Sequence, residues 1–167
     1  VEIEVTPADF GRIAAQTAKQ VVTQRIREAE RGLIYEAFID KEEDIVTGIV
    51  QRQDTRNIYV DLGKVEAVLP LNEIMPNEKF RQGERIKAYI TKVENTTKGP
   101  QILLSRTHPG LLKRLFELEV PEIYEGVVEI KSVAREAGFR SKIAVYSRND
   151  EVDPVGSCVG PKGMRVQ

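Results

Sequence analysis

Between Asp44 and Ser105 the apolar side chains recur at every second position, whereas on both sides of that stretch they recur at helical spacing. A period of two belongs to a strand with one buried face, so this switch constrains the fold more than any other feature of the chain. Five strands are expected, over Val46–Gln53, Asn57–Leu62, Val65–Leu69, Arg85–Val93 and Gln101–Ser105. Gly63-Lys64 supplies a tight turn between the second and third strands. Leu71–Phe80 reads as a short, polar, helix-like connection, and Asn95–Pro100 links the last two strands.

Five short strands with a longer third connection follow the plan of an OB barrel. Ahead of them, Thr6-Pro7-Ala8-Asp9 reads as a helix start: a cap, a proline at the first helical position, and a carboxylate at the positive end of the dipole. Helical spacing continues to about Ile39 through Phe10, Ile13, Thr17 and Val21, and again through Val22, Ile26, Ala29, Leu33 and Ala37, with Gly32 the weak point. A helix of that length is expected to connect modules, as a packed linker or as a partner-binding helix. Behind the barrel, Leu111, Leu112, Leu115, Phe116 and Leu118 mark a second helix that stops at Pro121. Two strands follow, Gly126–Val133 and Lys142–Ser147, joined by the polar stretch Ala134–Ser141, and Asp153-Pro154 starts a short helix that leads into Gly160.

Gly160-Pro161-Lys162-Gly163 has no β-carbon at either end, so a sugar-phosphate strand can approach it closely. A helix starting beyond such a loop would aim unpaired N–H groups at phosphates. This is the GxxG clamp with which KH domains hold about four nucleotides of single-stranded RNA. Four residues alone are weak evidence and read rather as an ordinary surface turn. The order helix, strand, strand, helix, GxxG, helix start is that of a bacterial-type KH domain without its third strand. The expected fold class is therefore α+β multidomain: a long connecting helix, a five-stranded OB-fold barrel and a partial KH domain.

Lys and Arg number 25 against 26 Asp and Glu, so any nucleic-acid site must be a local patch rather than the product of a basic protein. The lone cysteine, Cys158, excludes an internal disulfide and fits a reducing compartment. There is no long apolar run and no signal peptide, so a cytoplasmic protein without membrane contact is expected. Cysteine–histidine clusters, Walker-type loops and nucleophile–base pairs are missing from the sequence, so no metal, no cofactor and no catalysis are expected. His108, the only histidine, reads as a packing residue and Cys158 as a small buried hydrophobe. Position 1 is not Met, Val1–Val5 reads like the last strand of something earlier, and Gln167 follows closely on the GxxG turn. A fragment of a longer protein is expected.

Gly48-Ile-Val50, Asn57–Gly63, Ala67-Val-Leu69, Gln82-Gly-Glu84 and Ile102–Arg106 resemble the RNA-binding barrel domain named after ribosomal protein S-one. Ser105–Gly110, Glu119–Ile123, Val133–Val145 and Asp153–Gly163, with Gln16–Val21 and Arg25–Arg31 before them, resemble the bacterial NusA family of transcription elongation, termination and antitermination factors. The resemblance covers essentially the whole chain. It implies that residues 1–41 end a polymerase-binding N-terminal domain with its linker helix, 42–106 form the S-one barrel, and 107–167 begin the first KH domain. It also implies a factor that links nascent single-stranded RNA to RNA polymerase and modulates pausing, termination and antitermination. The polymerase contact is expected mainly upstream of this segment, and other elongation or antitermination factors are possible partners.

For the barrel, Tyr59 matches a stacking aromatic of the S-one family, whereas Arg56 and Pro70 stand where a second aromatic and a histidine are common. Arg52, Arg56 and Lys98 read as RNA contacts or as solvated strand charges. For the KH part, Lys131, Arg135, Arg140, Lys142 and Arg148 are opposed within residues 131–148 only by Glu136. The expected RNA contacts there are Gly160, Pro161, Lys162, Gly163 and Arg165, with Arg140 and Lys142. Ile143 and Val145 line an apolar groove or belong to the core. The short Arg106–Pro109 junction implies little freedom between the two parts. Two rival readings are a KH/S-one module of an exoribonuclease and a translation-associated S-one protein. The first family carries the modules in the opposite order, and the second does not explain the entry helix and the fused KH unit.

Overall fold

A computed structural model describes residues 1–4 and 10–167 of the chain. The expected helix start at Thr6–Asp9 lies outside the described residues. Val1–Glu4 have no regular secondary structure, and Val5 lies outside the described residues. Helix α1 (Phe10–Ile39) runs unbroken through Gly32. Its last turns alone are packed: Phe38 is buried in the barrel core, with Ile34, Tyr35 and Ile39 against it. Every residue from Gly11 to Glu30 is exposed, so the packed-linker reading holds only for the C-terminal end of the helix.

The barrel contains β1 (Ile45–Gln53), β2 (Asn57–Asp61), β3 (Glu66–Pro70), β4 (Arg85–Thr96) and β5 (Gly99–Ser105). They close in the order β1-β2-β3-β5-β4, and β3 pairs with β5 in parallel through Ala67 with Ile102 and Val68 with Leu103. The alternating residues Ile58, Val60, Ala67, Leu69, Ile86, Ala88, Ile90, Ile102 and Leu104 fill its interior. Bulges at Val50/Arg52 and Ile90/Lys92 bend the two long strands that close it. The helix-like connection expected over Leu71–Phe80 is a single 3-10 turn, Leu71–Glu73, followed by irregular chain. The last two strands are longer than expected and meet in a two-residue turn at Thr97-Lys98.

Helix α2 (Pro109–Glu119) is followed after Val120 by a single turn, α3 (Pro121–Tyr124), so Pro121 restarts a helix as well as ending one. Strands β6 (Val128–Glu136) and β7 (Arg140–Ser147) form an antiparallel hairpin. The connection expected at Ala134–Ser141 shrinks to residues 137–139, because strand pairing continues outward through polar residues that carry no apolar alternation. Helix α4 (Pro154–Val159) is capped by the Asp153 carboxylate, which accepts from Val155 N at 3.1 Å.

Candidate nucleic-acid interface

The Gly160–Gly163 turn takes its shape from left-handed backbone. Gly160 and Gly163 both have φ of 73°, which only glycine adopts without cost, and Lys162 between them has φ of 54°. The turn thus holds Lys162 out, exposed and without an ion-pair partner among the described residues. The expected helix start is entered through a 3-10 turn, Pro161–Gly163, after which Met164 has right-handed helical backbone and Gln167 N bonds Gly163 O at 3.3 Å. Its amides are consumed locally, Gly163 N on Gly160 O at 3.1 Å, Met164 N on Pro161 O at 3.1 Å and Arg165 N on Val159 O at 3.2 Å. What the turn presents is an ammonium rather than a row of free N–H groups: Gly160 is packed by Arg165, whose Cγ would lie 2.5 Å from a β-carbon there, whereas a β-carbon on Gly163 would meet only Val166, at 3.9 Å.

Arg165 lies behind the turn. Its guanidinium donates to Glu122 Oε2 at 2.9 Å and to the Ser157 carbonyl at 2.7 Å, strapping the turn to α3 and α4. Cys158 is buried on α4, and desolvation, with the Glu122 charge adding to it, raises its thiol above the ordinary range.

The basic residues of the hairpin do not act as one patch. Glu129, just outside the span read from the sequence, pairs with Lys131 at 2.6 Å and also with Arg148. Glu136 holds Arg140 loosely at 3.7 Å. Arg135 turns to the barrel side, donating to the His108 carbonyl at 3.0 Å and to the Met75 sulfur at 3.7 Å. Lys142 alone among these cations is exposed with no ion pair among the described residues. Ile143 and Val145 are half-buried and alternate with exposed Lys142, Ala144 and Tyr146, so they face the inner side of the hairpin.

On the barrel, Tyr59 and Arg52 are neighbours across β1 and β2. The Arg52 guanidinium sits 4.1 Å from the Tyr59 ring centroid and pairs with Glu66 at 3.1 Å. Asp54 accepts from Arg56 N and Asn57 N, each at 2.7 Å, and from the Tyr59 hydroxyl at 2.9 Å. These hydrogen bonds, in that order, hold its carboxyl below the usual range. Lys98 is not part of this cluster. It lies in the β4–β5 turn, five residues before Leu103, which reaches Tyr59 through Val68; that is about 16 Å along the strand.

Three family profiles match the chain in sequence: the NusA N-terminal domain over residues 1–32, the S1 RNA binding domain over residues 39–105 and the NusA-like first KH domain over residues 106–167. Among curated relatives, the transcription termination/antitermination protein NusA of Halalkalibacterium halodurans is 81% identical over 167 residues, covering 100% of this chain and 44% of that protein. The Bacillus subtilis protein of the same name is 77% identical over all of this chain and 45% of its own length. That of Thermus thermophilus is 50% identical over 100% of this chain and 43% of its own length. The chain belongs to the NusA family. It spans under half the length of these NusA relatives.

In this NusA-family chain the barrel and the KH part are locked together by a buried polar junction that no local sequence pattern announces. Ser105 is fully buried, donates to Glu73 Oε2 at 2.6 Å, and accepts from the backbone N–H groups of Thr107 and His108. Arg106 meets Glu78 through both Nε and Nη2, the latter at 2.6 Å, and also donates to the Lys87 carbonyl. His108 Nδ1 caps α2 by accepting from Gly110 N at 2.9 Å, and its ring stacks on Tyr89 at 4.6 Å. The forward signal was the short Arg106–Pro109 junction, read as leaving little freedom; its partners Glu73, Glu78, Lys87 and Tyr89 lie earlier on the barrel.

Proposed function

We propose that this chain is the RNA-holding part of a non-enzymatic transcription termination/antitermination factor of the cytoplasm, and that it grips nascent single-stranded RNA chiefly at Gly160–Gly163. The observation that carries the reading is the left-handed turn that presents unpaired Lys162 between two bare glycines. A mobile ammonium held out by a tight glycine turn suits a phosphate chain read without base contacts. Lys142 and Arg140 extend this contact, while Tyr59, Arg52 and Arg56 contribute a secondary one on the barrel. Arg165 acts by positioning the turn, and Lys98 lies apart from both surfaces. Contact with RNA polymerase is assigned chiefly to the N-terminal domain, which residues 1–32 match. The names of the relatives support this reading.

The test is titration of single-stranded RNA at several salt concentrations in the full-length protein. Changing Pro161 and Lys162 together to Asp places two carboxylates where phosphate must lie, and should abolish most binding with the fold intact. Lys162→Ala should be milder and reduce the salt slope by about 0.7, the value for one neutralised phosphate on a single strand. Parental affinity in a folded double-Asp variant would refute the GxxG assignment.

A further inference from the structure

We infer that the seam between the barrel and the β6–β7 hairpin is a second contact for single-stranded RNA, with Phe139 stacking a base and Arg85 and Lys87 meeting the backbone. The inference rests on reading the chain as an RNA binder and does not depend on the GxxG turn. Phe139 is 76% exposed at the tip of the hairpin. A large ring left in water at a hairpin tip does nothing for the core, and the tip is not free to fold away. A β-carbon on Gly138 would lie only 3.3 Å from Pro76 Cδ, so the tip rests against the barrel loop. Arg135, one residue below the turn, fastens the same edge through His108 and Met75.

The cleft beside this tip is lined by Lys79, Arg85, Lys87, Arg106 and Arg135, over an apolar floor that includes Leu111 and Leu115. Of its carboxylates, Glu78 is paired with Arg106, while Glu84 accepts from Arg81 N at 2.9 Å and keeps its charge, one carboxylate against Lys79, Arg85, Lys87 and Arg135. Lys79, Arg85 and Lys87 are exposed and form no ion pair among the described residues. Arg85 and Lys87 alternate with buried Ile86 and Ala88, so both stand on the outer face of β4. Arg135 also borders the shallow depression that carries Arg140 and Lys142, so the two basic surfaces meet at one residue. An excess of positive charge beside an exposed ring is the combination that holds an unpaired strand by phosphate contact and base stacking. A protein partner that buried Phe139 would have to desolvate three unpaired cations, which favours the polyanion.

The experiment compares labelled single-stranded RNA of about four nucleotides, which fits the GxxG turn, with RNA of about twenty, which can reach the seam as well. The full-length protein is used, as parent, Phe139→Ala, Phe139→Trp and the double variant Arg85→Ala/Lys87→Ala. Phe139→Ala should bind the long RNA about fivefold or more weakly, the short RNA unchanged, and Phe139→Trp should retain long-RNA affinity. The cation variant should weaken the long RNA and lower its salt slope by about 0.7 for each phosphate that is no longer neutralised. Thermal melting checks the fold, and the cation variant carries the test if Phe139→Ala does not fold. Unchanged long-RNA affinity in folded variants overturns the inference. So does weaker polymerase binding with RNA affinity intact, which would make the seam a protein-docking surface. Failure of the GxxG assignment is read separately, from short RNA and the double-Asp variant.

Discussion

A ring on an exposed strand stacks a base only where one of its faces is open. At Tyr59 the Arg52 guanidinium already lies 4.1 Å from the ring centroid, and the hydroxyl is tied to Asp54 at 2.9 Å. An incoming base must displace or share that cation, so the stack should contribute less than at an open ring. Tyr59→Ala is expected to lower RNA affinity about tenfold or less, with the thermal melt unchanged, since one base–aromatic stack contributes about 1–3 kcal/mol. Fluorescence titration decides it, and complete loss of binding would reverse the ranking of barrel and KH turn. Lys162 is the opposite case: no acidic side chain among the described residues pairs with it, so phosphate is its natural partner.

Helix α2 docks on the barrel at its first turn, where His108 both caps the helix and stacks on Tyr89. Burial raises the Tyr89 phenol above its ordinary value, with the Glu43 charge adding to the shift. The helix can come this close because residue 110 has no side chain: a β-carbon there would lie 2.5 Å from Tyr89 Cζ. Gly110→Ala should therefore destabilise the protein by about 1–3 kcal/mol despite the better helix propensity of alanine, because overpacking outweighs propensity. Thermal or urea unfolding measures this, and a stabilised variant would show that the helix can shift without cost.

At the scale of the whole molecule the Arg106–Glu78 pair, each side chain 18% exposed, anchors to the barrel the point from which the chain passes into α2. Arg106→Ala leaves the largely buried Glu78 with only the Met75 backbone N–H, at 3.2 Å, and should cost about 2–4 kcal/mol, between the values for exposed and fully buried pairs. It should also let the barrel and KH part reorient independently, seen as separate NMR tumbling rates or a broadened scattering profile. Rigid tumbling of the variant would place the rigidity in the Ser105–Glu73 bonds instead. The exposed span Gly11–Glu30 of α1 lies within residues 1–32, which match the NusA N-terminal domain. Residues 1–167 should accordingly bind RNA polymerase much more weakly than the full-length protein. Equal affinity in a direct titration would relocate the polymerase contact to this segment.

Strand and helix identity followed from the sequence wherever apolar residues kept a period, because one buried face imposes that period on the chain. The barrel strands and α2 are legible for this reason, and Gly160–Gly163 is legible because left-handed backbone demands glycine. The outer halves of β6 and β7 were not, since Ala134–Glu136 and Arg140–Ser141 pair through backbone bonds that leave no side-chain pattern. Charge fared likewise. Counting residues 131–148 made one basic patch, but Glu129 across the hairpin, and the turn of Arg135 toward the barrel, divide it. The junction of Glu73, Glu78, Ser105 and Arg106, and the exposed seam at Phe139, come only from the tertiary structure. Both depend on which distant residues share a site, and that is set by barrel closure and helix docking rather than by any local spacing.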